Sequence, residues 1–228
     1  MKYHIDFDID FKKNPYKGLY IALEGIDGSG KTAQAEKISK YFHTKGVKVL
    51  NVREPRKGVG VVGKLIQEIL IGRTKVPPVT LQYLYTADRT IHHNEVIIPA
   101  LKKGATIVSD RCLWSAVPYG ILDRRETIDE DAKMQILVSQ SILSMYHQFI
   151  IPDCTFYLDI SVDEAMERIK KKHGEKREIY EKREHLEKIL KGYKLLLREF
   201  PDEFTVINGR KPIEEVTAEI VKTISSIT

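Results

Sequence analysis

The sequence lacks the features that would mark an anchored or disulfide-stapled protein. No apolar run approaches the roughly 18–20 residues needed to cross a bilayer. The opening stretch MKYHIDFDIDFKKNPYKG has no apolar core of a secretory signal. A cytoplasmic protein with no membrane partner is the expectation. Cysteine is scarce: Cys112 and Cys154 stand far apart, without C-x-x-C spacing, and read as reduced thiols. A chain of 228 residues manages without such staples, because it buries roughly 70–75% of its unfolded surface on folding. His92 and His93 point about 100° apart on a helix, and no Cys or His cluster accompanies them, which argues against a metal held by this pair. A strong charge of one sign is missing too. The 37 Lys and Arg against 32 Asp and Glu leave +5, which suits anionic small substrates but is too diffuse for a nucleic-acid binder.

What the sequence does have is an alternation. From Gly18 onward "LYIALEG", "VKVLNV", "ATIVSD", "CTFYLDI" and "FTVING" read as strands. Between them lie helical patterns: Thr32 to Lys45 closed by Gly46, then "VGKLIQEIL", Leu81 to Lys103, and Asp129 to His147. Ser161 with Glu164 forms a capping box that opens another helix, and a charged helical stretch runs on to Glu199. Pro212 falls in the first turn of a C-terminal helix. Strands spaced by helices imply right-handed crossovers and a parallel sheet covered on both faces, one α/β domain over residues 18–228. Ahead of it, residues 1–17 form a separate extension. There Ile5, Phe7, Ile9 and Phe11 alternate with Asp6, Asp8 and Asp10, the two-residue period of a half-buried strand, and Asn14-Pro15 reads as a turn; an added edge strand or hairpin arm packed on the domain is the expectation, with a partner-binding segment as the alternative.

The stretch Gly25-Ile26-Asp27-Gly28-Ser29-Gly30-Lys31-Thr32 satisfies G-x-x-x-x-G-K-[ST], between a predicted strand and a predicted helix. Its glycines let the backbone bend so that successive N–H groups point at phosphate oxygens. The following helix adds the positive end of its dipole. Lys31 can reach the β- and γ-phosphates, and the Thr32 hydroxyl can ligate Mg²⁺. "ATIVSDR" then delivers Asp110 to the carboxyl edge of the sheet, where it can hold the metal directly or through water. ATP with Mg²⁺ is the expected donor.

The arginines point to the acceptor. After Asp110 comes Arg111 rather than a second acid, which does not support water-activating ATPase chemistry. Arginines recur instead in "REP" at Arg53, "ADR" at Arg89, "DR" at Arg111 and "EKREIYEKR" around Arg177. A phosphate acceptor is mostly a dianion at neutral pH and needs no general base. Its obstacle is repulsion from ATP, which Mg²⁺ and fixed guanidinium groups neutralise. Arginine's planar fork binds phosphate bidentately and keeps its proton.

Taken in order, "IALEGIDGSGKTAQ", "REP", "YTADR", "IVSDR…PYG" and "PDCTFYLDI" resemble the thymidylate (dTMP) kinase family, from about Gly18 to the C-terminus. The resemblance implies a P-loop three-layer sandwich with a small mobile lid at about 170–183, a homodimer, and transfer of the γ-phosphoryl of ATP to dTMP. By the same resemblance Asp27 meets the sugar 3′-hydroxyl and assists at the phosphate or metal, and Arg53 contacts the acceptor phosphate. Tyr85 stacks on thymine, Arg89 donates to its O4, and Ser115 lines the base pocket. Tyr119 crowds the 2′ position, and Arg111 bridges acceptor and donor phosphates. The lid pattern R-x-x-Y-E falls on Arg177 to Glu181, giving Arg177 as the lid arginine with Lys176 and Arg183 beside it. Lys31, Arg111, Arg177 and Asp27 are thus the implied catalytic set.

The sequence also departs from the family pattern. Ala33 replaces a hydroxyl after the loop, and Arg56-Lys57-Gly58 replaces "GGT" after "REP". Ile91 stands where glutamine is common, Ala116 offers no amide to the base, and "DRC" replaces "DRY". None of these removes a phosphate-handling group. The residues leave open a kinase for another (deoxy)nucleoside monophosphate, or a deoxynucleoside kinase with Glu24 as its base. From a different class, a P-loop ATPase or regulator that transfers nothing also stays open.

Overall fold

The computed structural model describes residues 10–123, 132–173 and 178–227. Five parallel strands form one sheet in the order β2-β3-β1-β4-β5. They are β1 (Tyr20–Glu24), β2 (Val49–Arg53), β3 (Thr106–Asp110), β4 (Cys154–Asp159) and β5 (Thr205–Asn208). β1 and β3 are buried along their whole length, as are the first five residues of β4. That is why these strands read as continuous apolar runs rather than alternating ones. The edge strands β2 and β5 are partly exposed.

The helices cover both faces. α1 (Lys31–Thr44) and α9 (Ile213–Ile227) close one side, where Ile38, Phe42, Val216 and Ile220 pack on Ile21, Leu23, Val108 and Phe156. The other side holds α2 (Gly60–Leu70), α3 (Pro78–His92), α4 (Ile98–Lys102), α5 (Ala116–Asp123), α6 (Ala132–Leu143), α7 (Val162–His173) and α8 (Arg183–Glu199). Neighbouring β1 and β3 leave for opposite directions of the sheet, which opens a crevice at their carboxyl ends. The glycine loop follows β1 and so lies in that crevice.

Most of the expected elements are found, with instructive differences. Glu164 accepts from the N–H of Ser161 at 2.9 Å, and its own N–H reaches Ser161 Oγ at 3.3 Å, so the capping box at the start of α7 is formed. The helix expected over Leu81 to Lys103 starts earlier, at Pro78, and passes through a π-helical turn, His93–Ile97, before α4. Pro99 has no N–H for the carbonyl of Glu95, and a widened turn accommodates this. The helix opened by the capping box, α7, ends at His173, and the charged helical stretch that reaches Glu199 is α8, which begins at Arg183.

α5 is absent from the sequence reading, because Pro118 and Gly120 mask its pattern. Pro118 sits in the first turn, where a missing N–H costs little. A Cβ at Gly192 would lie 2.6 Å from Pro118 Cα, so α8 crosses α5 at backbone contact. Of the extension, Ile5, Phe7 and Ile9 fall outside the described residues. Lys12 makes an isolated parallel bridge with Ile150, apart from the five-stranded sheet, and Phe11 packs on the main core.

Candidate active site

The glycine loop is tightly held. Gly28 has φ 84°, and a Cβ there would meet the carbonyl oxygen of Ala165 at 2.6 Å, so both the dihedral and the space require glycine. Gly30, at φ 98°, turns the chain into α1. Lys31 donates to the carbonyls of Gly25 (3.1 Å) and Ile26 (2.8 Å) and is nearly buried. Burial, and then the Arg111 guanidinium, pull its ammonium down to about 8.

Beyond the loop, Thr32 Oγ1 donates to Asp110 Oδ2 at 2.5 Å. Asp110 Oδ1 is buried with no protein partner among the described residues, and Arg53 Nε stands 3.9 Å from Oδ2. Arg53 is half exposed at the rim of the cleft.

Arg111 is the hub. Its Nη1 donates to Gly25 O (3.0 Å), Ser115 Oγ (3.1 Å) and Tyr193 Oη (3.0 Å), and its Nη2 to Asp27 Oδ1 and Tyr119 Oη, both 2.7 Å. The Arg111 backbone has φ 75°, a strained value for a side-chain-bearing residue. Burial alone would raise the carboxyl of Asp27, but Arg111 and Lys31 outweigh it and hold the group well below the usual carboxylate range. Behind Arg111 lies Glu24, fully buried. Glu24 accepts from the N–H groups of Cys112 and Ser115 and from the hydroxyls of Ser115 and Tyr193. Its lone pairs are therefore taken.

A cleft of about 470 Å³, counted to its open mouth, runs from Asp27 and Arg111 past Tyr119 and Ser115 to Tyr85 and Arg89. Every described residue that sequence reasoning assigned to the acceptor therefore converges on one space. Ser115 lines it, though its hydroxyl is engaged by Glu24 and Arg111. Arg89 is gripped by Glu54 (2.7 Å from Nε) and Tyr146 (2.9 Å from Nη1), neither bond engaging Nη2. Glu54 is also 3.1 Å from His92 Nδ1. Burial would lift the carboxyl of Glu54, yet His92 and Arg89 bring it down to about 2. Lys57 pairs with Glu178 at 2.6 Å inside the same cleft. The Tyr180 ring meets that of Tyr119 edge-on at 4.9 Å. Arg177 and Lys176 lie outside the described residues; Arg183 instead pairs with Asp163 at 2.6 Å.

Sequence reasoning missed Tyr193, Glu54, Lys57 and Tyr180. Glu54 and Tyr180 lay inside quoted motifs, "REP" and R-x-x-Y-E, but nothing local marked them as contacts. Tyr193 carries no motif and reaches Arg111 only because α8 crosses α5. A second cleft of about 510 Å³ flanks Gly30 and Ala33, bordered by Arg168 and Gly209.

A family model described as thymidylate kinase matches residues 23–220. The chain is 34% identical over 206 residues to the thymidylate kinase of Thermoanaerobacter sp. strain X514, spanning 90% of this chain and 96% of that protein. It is 36% identical over 203 residues to the thymidylate kinase of Thermosipho africanus strain TCF52B, spanning 89% and 95%. A solved structure of thymidylate kinase from Candida albicans aligns with a TM-score of 0.77 over 92% of both chains, and at 24% identity it speaks for the fold.

Proposed function

This chain belongs to the thymidylate kinase family, and we propose that it transfers the γ-phosphoryl of ATP to dTMP, giving dTDP and ADP. The observation that carries this is Arg111: one guanidinium is bonded to the glycine loop through Gly25 and also lines the acceptor cleft beside Asp27 and Tyr119. In this reading it touches both anions.

In this reading the triphosphate lies along the N–H groups of Gly25 to Thr32, with Lys31 leaving the loop carbonyls for phosphate oxygens. The second cleft, beside Arg168, takes the donor nucleoside. The acceptor's base stacks on Tyr85 and takes a hydrogen bond to O4 from Nη2 of Arg89. Tyr119 crowds the 2′ position, Asp27 meets the 3′-hydroxyl, and Ser115 holds Arg111 at the pocket wall. Arg53 and Arg111 take the acceptor phosphate. The phosphate oxygen attacks the γ-phosphorus in line while the bond to the bridging oxygen of ADP breaks. No proton has to be removed from a dianion, so no base is required. Arg111 and Lys31 gain strength as charge spreads over the transferring group, and Arg177 adds a cation from the lid at 170–183.

A magnesium ion fits the residues present, because Asp110 keeps one carboxylate oxygen buried without a partner among the described residues, next to the Thr32 hydroxyl. Thr32 and Asp110 would hold it, directly or through its water shell, and the bound ion withdraws charge from the phosphoryl oxygens.

A nucleoside acceptor is disfavoured by one observation. Glu24, the carboxylate that could serve as its base, is engaged by five donors and fully buried. We place the protein in the cytoplasm as a homodimer; among the described residues no helix is long and apolar enough to cross a membrane. The test is a panel of acceptors with ATP and Mg²⁺. Strong turnover of dTMP with little ATP loss in its absence is expected. Preference for dCMP or thymidine would overturn the acceptor, and equal phosphate release without any acceptor would favour an ATPase.

A further inference from the structure

The reaction makes no use of the segment ahead of β1, yet residues 10–17 are tied to the amino ends of β1 and β4, from where Phe11 reaches the residue behind the Arg111 turn. The carbonyl of Lys12 accepts from the N–H of Ile151 at 2.9 Å. Asn14 Nδ2 donates to the carbonyl of Gly18 at 2.7 Å and to Asp153 Oδ2 at 2.8 Å, and the same carboxylate oxygen accepts from the N–H of Tyr20. Phe11, so tethered, lays its ring 5.4 Å from that of Trp114. Phe200 and Phe204, at 5.1 and 5.4 Å, complete the cage around the indole. The match to the family model begins at residue 23, so Phe11 lies ahead of it.

Trp114 is not remote from the chemistry. It stands three residues after Arg111, on the short turn whose N–H groups at Cys112 and Ser115 both donate to Glu24. Arg111 occupies the left-handed region at φ 75°, which a residue with a side chain keeps only where its surroundings over-determine it. From the front, Glu24 and five hydrogen bonds of the guanidinium hold the turn. From behind, Trp114 is wholly buried, and its Nε1 has no hydrogen-bond partner among the described residues. Three rings pack around the indole on that side. Two come from the end of α8 and the loop after it; the third is Phe11.

We propose that Phe11 is a positioning residue for Arg111: docking of the N-terminal arm on Trp114 fixes the Arg111 turn and is thereby coupled to binding of the acceptor's phosphate. The coupling rests on the reading that Arg111 meets that phosphate. By linkage it is reciprocal, so the acceptor tightens the arm by the factor by which the arm tightens the acceptor.

Trp114 is the chain's one tryptophan, so its emission reports arm docking without any label. The experiment compares the full-length wild type with Phe11→Ala, Phe11→Leu and Asn14→Ala. It measures acrylamide quenching of Trp114, calorimetric affinity for dTMP, and affinity for a non-hydrolysable ATP analogue. Phe11→Ala is expected to increase quenching and weaken dTMP about 3- to 20-fold, with the ATP analogue unchanged within about two-fold. Phe11→Leu, which refills most of the cage, should recover most of the loss. Asn14→Ala, which cuts the tether to Asp153 and leaves the rings intact, should act in the direction of Phe11→Ala and keeps the test alive if that variant does not fold. In the wild type, dTMP should itself reduce quenching. Increased quenching with unchanged dTMP affinity overturns the proposal, and so does a parallel loss of both nucleotides. Quenching that ignores Phe11→Ala also overturns it, because the arm would then not lie on Trp114. A wild type that binds no dTMP, while its quenching still responds to Phe11→Ala, overturns the acceptor assignment instead.

Discussion

Lys31 carries its charge where burial and the neighbouring Arg111 both oppose it, while Asp27, Asp110 and Glu24 support it. In the free enzyme its ammonium titrates at about 8, so the cation is complete below that pH and lost above it. Because kcat/KM reports the free enzyme, kcat/KM for ATP should fall above about pH 8, while kcat bends later, once bound phosphate restores the cation. A pH–rate profile checks this; kcat/KM flat from neutrality to well beyond pH 9 would remove Lys31 from the role. Arg111 allows a sharper test. Lysine has the charge but not the fork that spans Gly25, Asp27 and Tyr119. Arg111→Lys should therefore lower kcat by about 10²- to 10³-fold in steady-state assays, a loss typical of a removed transition-state donor. Tyr193→Phe deletes one donor to Glu24 and one acceptor for Arg111 in a buried network. A loss of about 1–3 kcal/mol in chemical denaturation is expected, with a smaller loss of kcat than Arg111→Lys.

At the level of elements, the loop after β2 is clipped to α3. Glu54 grips Arg89 and His92, Asp88 accepts from the Arg56 N–H at 2.8 Å, and Glu54 fixes the arginine assigned to the base. The Glu54 carboxyl titrates at about 2 in the fold against 4.5 ordinarily. A group held low stabilises above its unfolded value and loses that contribution as the pH falls through its folded one. The contribution is thus complete above about pH 4.5 and fades toward pH 2, and is worth on the order of 3 kcal/mol. Glu54→Gln should lose that amount at neutral pH, flatten the acid limb of the stability curve, and raise KM for dTMP as Arg89 loosens. Denaturant melts between pH 2 and 7 check the first two effects, and an unchanged acid limb would refute the assignment.

The same elements show what could be read beforehand. β1, the glycine loop and α1 were legible because each local signal agreed: an apolar run, three glycines at turn positions, then a helical pattern. The capping box of α7 was legible for the same reason. α5 was not, because its Pro118 and Gly120 answer to the close crossing of α8, a tertiary demand without a local signature. The hydrogen bond from Tyr193 to Glu24 joins residues 169 positions apart, and no spacing rule could announce it. Arg53 and Arg89 were legible as motif members, but what holds them was not.

At the scale of the whole molecule, the exposed apolar side chains are unevenly spread. Val59, Val61, Leu65 and Ile71 lie on or beside the eleven residues of α2, and Val61 is 86% exposed. Tyr83 on α3, which packs against α2, is 61% exposed. A monomer seldom leaves so much aliphatic and aromatic surface on adjoining helices, and a two-fold axis across them would bury the same patch on both partners. The patch is also near the chemistry, because α2 begins seven residues beyond Arg53 and its far end, Leu70, lines the acceptor cleft. Pairing through α2 would therefore brace the loop that carries the acceptor's cations. Sedimentation at micromolar concentration should give a dimer for the wild type. Val61→Asp, which places two like charges near one another across the axis, should give a monomer whose KM for dTMP is raised more than its KM for ATP, since the second cleft is lined by α1, α9 and Arg168 and by no residue of α2. A wild type that sediments as a monomer, or a monomeric Val61→Asp with both constants unchanged, would detach the apolar patch from the function assigned to it.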